Sequence, residues 1–476
     1  MHPALGMSAI GLAQAIREQR WSSREIVTLH IARAKEVAPR IRALVAERFA
    51  AALAEADVAD AHLAAVGPAA VGPLHGVPCS IKECIAVTGM PQTSGLVARV
   101  GQAASEDAFT VARLRSAGAI PIGVSNVSEL CMWWESDNRV YGRTHNPYDA
   151  TRTVGGSSGG EGALVGAGVV PFGLGADVGG SIRMPAFFCG VFGHKPTGGL
   201  VSLAGHHPPP HGAIRRYCTI GPLARRAEDL MPLLRVLAGP DGEDRWMSAY
   251  PLGDPGAVAL DGLQVLDVAG LGRQRPTPAL VAAQGRAAAV LAGQGARVRQ
   301  VELAGMRRAF DLWSAMLADA GGAGFGELLG HAGLAETVRH VLRAAVGRSP
   351  HTLPALALAL LEAVPKRLPR RVKAYCQRAL ALKDEVHELL GDGVLLFPSH
   401  PRVAPKHHAA LLAPLDFAWT GIWNILEVPV TQVPLGLDRA GLPLGIQVVG
   451  QVGQDHRTIA VAQALETHMG GWVRPM

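Results

Sequence analysis

The sequence predicts an α/β fold with a substantially parallel β-sheet. Short apolar segments with β-branched residues alternate with helical segments along the chain, which is typical of strands joined by helices. Residues 155–200 are rich in glycine, which lets backbone segments approach each other closely. The chain has 476 residues, of which 49% are hydrophobic and 18% are charged. It therefore has enough apolar material for a large core.

Residues 8–65 have the pattern of helices. Ser22 and Glu25 have the three-residue separation of a capping box at a helix N-terminus. The run 32–64 is rich in alanine, glutamate and arginine, with apolar residues at helical spacing. Pro39 lies in this run and is expected to interrupt it, because proline lacks an N–H group and clashes with the preceding turn.

Strand-like and helical segments alternate through the rest of the chain. The strands are short and apolar, and the helices are longer or have apolar residues at helical spacing. The expected strands are residues 77–87, 120–124, 263–268, 428–435 and 444–449. The expected helices are residues 110–117, 162–168 and 278–294, the second of them packed tightly through its small residues.

The segment 353–361 is almost entirely apolar and precedes a basic cluster. Two interpretations are open. One is a buried helix followed by a solvated basic helix, and the other is an element that touches a membrane interface. The basic residues are Lys366, Arg367, Arg370, Arg371 and Lys373.

Charge and cysteine content limit the functional classes. The net charge is +6, but no zinc-finger spacing or RNP-like aromatic motif indicates a nucleic-acid partner. Six scattered cysteines without a CxxC pair predict neither a disulfide framework nor a zinc site, so a reducing cytoplasm is the expected location. The N-terminus lacks a signal-peptide pattern, and the uncharged stretch 162–176 is too short to span a bilayer.

Two serines lie in glycine-rich loops. Ser157 belongs to Gly155–Gly160, and Ser181, 24 residues later, belongs to Asp177–Arg183. Glycine lets backbone N–H groups converge on a ligand, and a serine placed there can act as a nucleophile beside an oxyanion site. Such a serine needs a base, and neither loop supplies one.

Other nucleophile chemistries fit the sequence less well. The elbow pattern G-x-S-x-G occurs around Ser157 and Ser158, but the preceding residues 148–153 are polar, whereas an elbow follows an apolar strand. Gly173-Leu174-Gly175 lacks the third glycine of a dinucleotide fingerprint, and no Walker lysine follows either loop. Cys79 and Cys84 have no histidine near them in sequence, so we interpret them as buried thiols.

Two groups of histidines raise the question of a metal. No HExxH-type pair accompanies them, and prolines interrupt the first group, so we interpret them as surface or loop residues and predict no metal site. They are His206, His207 and His211, and then His407 and His408.

Lys82 is the candidate base. It lies in the strand-like apolar stretch Gly76–Glu83, where an isolated lysine more often faces solvent than acts in catalysis. If it is buried, desolvation of its ammonium group lowers the pKa and makes a neutral amine available.

The order and spacing of these residues resemble the amidase signature enzymes, which use a Ser–cisSer–Lys triad. Lys82 precedes Ser157 by 75 residues, and the similar stretch continues to Gly193–Gly198. The likeness covers most of the chain from about residue 70, with weaker stretches at 240–380. Further segments are similar to the fatty-acid amide hydrolase branch: Cys131–Ser136, Met184–Phe188, Phe397–Pro401, Ala404–His408 and Gly441–Gly450.

The resemblance implies the amidase signature fold, a large mixed β-sheet flanked by helices on both faces. It implies a single domain over residues 1–476. Within it we expect an N-terminal helical segment at about 1–65, a signature core at about 70–235 and an insertion or lid-like helical region at about 300–390. No transmembrane anchor is expected.

The resemblance also implies roles for individual residues. Ser181 would attack the amide carbonyl and form an acyl-enzyme, Ser157 would follow a cis peptide bond and relay protons, and Lys82 would be the base. In the second loop, the oxyanion would be bound by the backbone N–H groups of Val178, Gly179, Gly180 and Ser181. Ser158, Asp177 and Arg183 would support the loops, and Cys131 and Met132 would line the acyl side.

The implied reaction is hydrolysis of a carboxylic amide, with a fatty or other hydrophobic acyl group as the candidate, to an acid plus an amine or ammonia. No cofactor is implied. The expected partner is a small-molecule amide, with peripheral membrane contact and a homodimer as further possibilities. The alternatives are an amidotransferase A-type subunit that works in a complex and a non-catalytic lipid-binding scaffold.

Overall fold

The computed structural model describes residues 2–272, 274–362 and 368–475. Its strands form an eleven-stranded sheet and a separate two-stranded ribbon. In chain order they are β1 (Leu44–Glu47), β2 (Pro78–Lys82), β3 (Ile120–Ser125), β4 (Asp137–Asn138), β5 (Gly142–Arg143), β6 (Phe172–Asp177), β7 (Phe192–Lys195), β8 (Thr219–Ala224), β9 (Gln264–Asp267), β10 (Arg297–Gln300), β11 (Val394–Pro398), β12 (Val430–Leu437) and β13 (Pro443–Val449).

The α-helices are α1 (Ala9–Arg17), α2 (Ser23–Ile41), α3 (Phe49–Val66), α4 (Phe109–Ser116), α5 (Gly159–Gly166), α6 (Arg183–Phe188), α7 (Ile214–Tyr217), α8 (Leu230–Leu237), α9 (Pro278–Gly293), α10 (Ala309–Asp319), α11 (Phe325–Leu328), α12 (Leu334–Ala345), α13 (Leu353–Leu361), α14 (Pro369–Leu390), α15 (Ala418–Ile425) and α16 (Asp455–Met469). Short 3-10 helices lie at Pro3–Gly6, Val97–Arg99, Glu129–Cys131, Ala227–Asp229, Pro255–Ala257, Ala304–Arg308, Ala409–Leu411 and Pro414–Phe417.

The large sheet is mixed, with the strand order β1-β3-β2-β6-β8-β7-β12-β13-β11-β9-β10. Parallel pairing joins β3, β2 and β6 on one side and β11, β9 and β10 on the other. The pairs between these groups are antiparallel. The mixed sheet that the resemblance implies is confirmed. The substantially parallel sheet is wrong, because neighbours such as β12 and β13 are joined by a short turn rather than by a helix.

Helices cover both faces of this sheet. Successive residues of β9 belong to different buried apolar clusters, Val265 to one and Leu266 to the other. Because successive strand residues point to opposite faces, the two clusters lie on opposite sides of the sheet. Leu280 of α9 packs in the first cluster and Leu312 of α10 in the second. The flanking helices that the resemblance implies are confirmed.

The N-terminal segment contains helices and one strand that the sequence pattern misses. The capping box is present, with Glu25 N donating to Ser22 Oγ at 3.0 Å and Ser22 N donating to Glu25 Oε2 at 2.7 Å. The expected interruption at Pro39 is wrong. Proline removes only one hydrogen bond in the last turn of α2, which ends two residues later before the left-handed Arg42. The missed strand β1 pairs antiparallel with β3 at the edge of the sheet.

The glycine-rich stretch packs α5 directly against α6. A Cβ atom on Gly162 would lie 2.9 Å from Pro185 O, and one on Gly166 would lie 2.7 Å from Cys189 O. The prediction of close packing through small residues is therefore confirmed, although the helix begins at Gly159, earlier than expected.

The strand expected at residues 77–87 ends at Lys82. The N–H of Ile85 bonds back to Lys82 O at 2.8 Å and forms a turn there. The other predicted strands and helices match observed elements, with bounds shifted by one to a few residues.

The apolar segment 353–361 forms α13, but the helix is only partly buried. Its ends are open to solvent, with Leu353 52% and Leu361 60% exposed. The expectation of a buried helix is therefore wrong for its ends, because a helix on the outside of the fold buries a single face. Lys366 and Arg367 lie outside the described residues. The remaining basic residues, Arg370, Arg371 and Lys373, are exposed on α14.

Within the described ranges, no helix combines the length and apolar character needed to cross a bilayer. The six cysteines are free thiols, and each of them is buried.

Replacing Trp423 by alanine is expected to lower the free energy of unfolding by about 3–5 kcal/mol, the usual loss for a buried tryptophan. Trp423 is fully buried in α15 and meets the Phe397 ring edge-on at a centroid distance of 5.1 Å. Urea unfolding followed by circular dichroism measures the change. Leu412→Ala, at a side chain 90% exposed, is the control and should stay within about 0.5 kcal/mol of wild type. Equal unfolding midpoints for W423A and wild type would contradict the expectation.

Candidate active site

The two serine-bearing loops and Lys82 meet at one edge of the parallel part of the sheet. Lys82 is the last residue of β2, and Asp177 is the last residue of the neighbouring parallel strand β6. Because parallel strands end at the same edge, the loop 178–182 begins beside Lys82. This edge is where open α/β sheets commonly place their ligands.

Lys82 is buried, with 1% of its surface exposed. Its Nζ lies 2.7 Å from Ser157 Oγ and 3.2 Å from Ala176 O. Among the residues that the structure describes, no carboxylate forms an ion pair with this nitrogen. A neutral amine suits these two partners, because it can donate to the carbonyl and accept the hydroxyl proton of Ser157.

Burial and neighbouring thiols act on the pKa of Lys82 in opposite directions. Burial is the largest single influence and lowers the pKa. Cys131, Cys84 and Cys218, when ionised, and the Asp177 carboxylate act the other way and together hold it above its ordinary value. Burial raises the pKa of Cys218 to about 12, and a hydrogen bond with Cys84 together with burial raises that of Cys131. These two thiols are therefore uncharged at neutral pH, where burial favours the neutral amine and the Asp177 carboxylate favours the ammonium form.

Ser157 is buried in the first loop, and the Gly156–Ser157 peptide bond is cis. The loop is held by neighbours on both sides. Ser136 Oγ donates to Ser157 O at 3.2 Å, and Ser158 N donates to Ser181 O at 3.1 Å. The second bond joins the two serine-bearing loops directly.

Ser158 ties its loop to β6. Its Oγ donates to Ala176 O at 3.2 Å and accepts from Ala176 N at 3.3 Å. This is the kind of support that the resemblance implies for its hydroxyl. Ala176 O also accepts from Lys82, so the same strand residue positions both side chains.

Ser181 lies at the end of the second loop and is 8% exposed. The N–H of Gly180 donates to Asp177 Oδ1 at 2.7 Å. This amide is therefore occupied, and the expectation that it is a free oxyanion donor is wrong. Across residues 2–272, 274–362 and 368–475, the N–H groups of Val178, Gly179 and Ser181 have no hydrogen-bond partner. These three amides are the donors available in the loop.

Glycine is required at position 180 for steric reasons. Its φ is +112°, and a Cβ atom there would lie 1.9 Å from Thr420 Oγ1. At Gly179, a Cβ atom would make only ordinary contacts, 3.5 Å from Trp313 and from Phe417. Gly180 is therefore needed for packing against α15.

A buried ion pair holds the second loop. Arg183 donates to both carboxylate oxygens of Asp177 at 2.9 and 3.0 Å, and both side chains are fully buried. Arg183 also donates to Thr420 O, Gln447 Oε1 and Asn424 Oδ1 at 2.6–2.8 Å. Burial alone would raise the pKa of Asp177, but the Arg183 guanidinium and the hydrogen bonds from Asn424 and Ile182 hold it well below its usual range.

Cys131 lies close enough to Lys82 for the positive charge of the lysine to lower the pKa of its thiol, against the larger raising effects of Cys84 and burial. Cys84 Sγ lies 3.5 Å from His206 Nε2, a partner 122 residues away that no local pattern could indicate. Met132 packs beside the buried cluster that contains Leu130 and Phe325. The acyl-side role expected for Cys131 and Met132 stays a prediction.

Sequence reasoning missed two aromatic residues over the second loop. Trp313 Nε1 donates to Val178 O at 3.0 Å, and its ring meets that of Phe417 edge-on at 4.8 Å. Trp313 lies in α10, which the sequence shows only as part of a weakly matched helical region. Asn424 and Gln447 were missed for a different reason: their partner Arg183 is more than 200 residues away in the sequence.

The five histidines considered as metal ligands are separated in the structure. His206 lies in a loop, as one of the two expectations had it, but it is buried against Cys84 and not at the surface. His407 Nδ1 lies 3.0 Å from Glu135 Oε1. In the described part of the chain, none of these histidines belongs to a group with metal-binding geometry.

Comparison with known proteins places this geometry in a family. The Amidase family model matches residues 25–459. Fatty-acid amide hydrolase 2-B of Danio rerio is 44% identical over 490 aligned residues, which cover 100% of this chain and 91% of that protein. The A subunit of glutamyl-tRNA(Gln) amidotransferase from Anaeromyxobacter sp. (strain K) is 34% identical, with 98% of each chain covered.

Solved structures agree with the sequence comparison. 6-Aminohexanoate cyclic dimer hydrolase superposes with a TM-score of 0.83 at 26% identity, covering 99% of each chain. The family match spans both serine-bearing loops and Lys82. The resemblance seen in those residues, including the likeness to the fatty-acid amide hydrolase branch, is therefore confirmed, and the chain belongs to the Amidase family.

Proposed function

We propose that this amidase hydrolyses hydrophobic acyl amides through an acyl-enzyme on Ser181, with Ser157 and Lys82 as its proton relay. The observation that carries the proposal is the buried hydrogen bond of 2.7 Å between Lys82 Nζ and Ser157 Oγ. It gives a serine hydroxyl direct access to an amine in a desolvated setting, which is the base that the glycine-rich loops lack.

In the acylation step, neutral Lys82 takes the proton of Ser157 while Ser157 takes the proton of Ser181. Ser181 Oγ forms a bond to the carbonyl carbon, and the carbonyl π electrons move to oxygen. The bond between Ser158 N and Ser181 O supports this arrangement, because it keeps the two loops together as protons pass between them.

The second loop supplies stabilisation for the negative oxygen. The unpartnered N–H groups of Val178, Gly179 and Ser181 are the donors, and one such donor is typically worth about 2.7–4 kcal/mol of barrier. The ion pair between Asp177 and Arg183 holds these amides in place before substrate binds. Such preorganisation means that the loop does not have to reorganise during the reaction.

Proton return completes each half of the reaction. An amine is a poor leaving group unless it is protonated as the C–N bond breaks, so the proton held by Lys82 returns through Ser157 to the nitrogen. Water then attacks the acyl-enzyme, gives a proton to the same relay, and releases the carboxylic acid as Ser181 is protonated again.

The acyl group is inferred from relatives and from apolar residues. The Danio rerio relative is named a fatty-acid amide hydrolase, at 44% identity. Met132 packs against an apolar cluster with Leu130 and Phe325, and Trp313 and Phe417 lie over Gly179. The aromatic side chains over the second loop favour a hydrophobic acyl chain.

The second candidate is a subunit of an amidotransferase, because the Anaeromyxobacter relative is 34% identical over nearly the full chain. The higher identity to the amide hydrolase favours free hydrolysis. Hydrolysis by the purified chain without any partner protein distinguishes the two functions. The homodimer, the peripheral membrane contact and the cytoplasmic location stay predictions.

Lys82→Ala and Ser181→Ala are each expected to lower kcat/KM for amide hydrolysis by at least about 10³-fold while the chain stays folded. The first change removes the base and the second removes the nucleophile. Steady-state kinetics with an acyl anilide measure the loss, and circular dichroism checks the fold. Lys373→Ala and Ser105→Ala, at exposed positions, are the matched controls and should keep wild-type rates. Near-wild-type turnover by K82A at neutral pH would rule out the relay.

The value of kcat/KM is expected to rise with pH for an uncharged amide. The reactive form contains neutral Lys82, and a lysine loses its proton as the pH increases through its pKa, so the active fraction grows with pH. Rates between about pH 5 and pH 10 define the profile. The pKa of Lys82 is held above its ordinary value, so the rise should continue through the whole of this range. The residual activity of K82A should lack the rise. A wild-type profile that is flat or falling over this range would count against lysine as the base.

A panel of anilides that share one amine and differ in acyl length tests the substrate class. Each buried CH₂ group is worth about 0.8 kcal/mol, so kcat/KM should increase about fourfold per added CH₂ until the site is filled. Aryl and acetyl anilides are compared in the same assay, with S181A as the blank. Preference for acetyl or aryl groups would contradict the fatty-acyl proposal and leave the amidase mechanism standing.

A further inference from the structure

Three histidines outside the amidase site come together in the helical segment 325–361. His331 follows α11, His340 lies in α12, and His351 precedes α13. One ring nitrogen from each lies within 4.8 Å of the others. The proposed relay uses none of them, and their separations of nine and eleven residues match no ligand motif, so sequence reasoning missed the group.

The Nε2 atom of His331 has a lone pair available for a ligand shared by the three rings. The hydroxyl of Thr337 donates to Gly333 O at 3.4 Å and so accepts the Nδ1–H of His331 at 2.9 Å. This hydrogen bond selects the tautomer with the lone pair on Nε2. That Nε2 atom is buried and has no hydrogen-bond partner in the described part of the chain.

His351 is oriented by a carboxylate. Its Nδ1 lies 2.7 Å from Glu129 Oε1, and the other oxygen, Oε2, accepts the N–H of Thr352 at 2.8 Å. A carboxylate on Nδ1–H leaves the lone pair on Nε2 and raises its basicity. This is the usual arrangement behind a metal-bound histidine.

His340 supplies the third imidazole. Its Nδ1 is buried without a partner among the described residues. Its ring stacks on that of His331, with centroids 4.7 Å apart and planes 4° from parallel. Lone pairs of parallel rings do not converge, so binding a shared ion requires the His340 ring to turn about its Cβ–Cγ bond. The side chain is half-buried, so its ring is not enclosed on every side.

We propose that His331, His340 and His351 bind one Zn²⁺ ion, with Glu129 as the positioning residue for His351 and a water molecule as the fourth ligand. Neutral imidazole nitrogens are preferred zinc ligands. The ion also satisfies two buried ring nitrogens that otherwise lack partners, a situation that folded proteins avoid.

The site connects the helical segment to the loop that contains Cys131. Glu129 is followed by Leu130, which packs with Phe325 and Leu329. Zinc bound to the three histidines would therefore fasten α11–α13 onto the loop 129–132. We assign the ion a stabilising role at this junction, because the relay at Lys82 and Ser181 is complete without it.

Metal binding is tested on the untagged full chain after chelation. Competition with a chromophoric chelator measures zinc stoichiometry and affinity, and Co²⁺ substitution reports geometry through its absorption spectrum. Wild type is expected to bind one ion per chain, with the intense visible bands of tetrahedral cobalt. His340→Ala should weaken zinc binding at least about 100-fold, and Glu129→Gln about 10–100-fold, the range for lost supporting carboxylates.

His387→Ala is the matched control, because this exposed histidine lies on α14, the helix that follows the segment. It should bind zinc like wild type. Zinc should raise the midpoint of thermal unfolding of wild type and H387A but not of H340A, while all three unfold alike in excess chelator. Wild-type zinc binding no tighter than that of H340A, or equal loss in H387A, would overturn the proposal. His340 is half-buried, so H340A keeps the test decisive if variants of the buried His331 do not fold.

Discussion

The buried ion pair between Asp177 and Arg183 is the interaction on which the active-site loop depends. Two charges in a dry interior are costly unless every lone pair and proton has a partner, and here Asn424, Gln447 and backbone groups supply them. Removing one partner of such a pair typically costs about 3–5 kcal/mol. The pair determines the path of the backbone from 177 to 183, and with it the direction of the amides beside Ser181.

The desolvated lysine is the second constraint, and it follows from the sheet. Parallel pairing of β2 with β6 brings Lys82 to the edge where the loop 178–182 begins, and covering both faces of the sheet removes water from its amine. Burial disfavours the ammonium form, while the charge of Asp177 acts on the pKa in the opposite direction without forming an ion pair with the amine. The fold therefore makes an ordinary lysine into a base without a carboxylate partner.

Local patterns predicted much of the fold, and their errors have physical causes. The Ser22–Glu25 capping box and strand β3 were predicted because the determining residues are neighbours in sequence. Strand β1 was missed because its four residues lie partly exposed at the sheet edge, without a pattern distinct from the helices around it. The direction of strand pairing was wrong in the middle of the sheet, since it depends on how strands such as β12 and β13 are connected.

The sequence by itself determined the chemical groups: a lysine in an apolar strand and two serines in glycine-rich loops, in an order that identified the family. Only the tertiary structure decided which amides stay free, because Gly180 N–H is taken by Asp177 and its missing side chain makes room for Thr420. It also brought the three histidines together and placed the aromatic residues over the second loop. These features depend on distances between residues far apart in the chain, which local spacing does not encode.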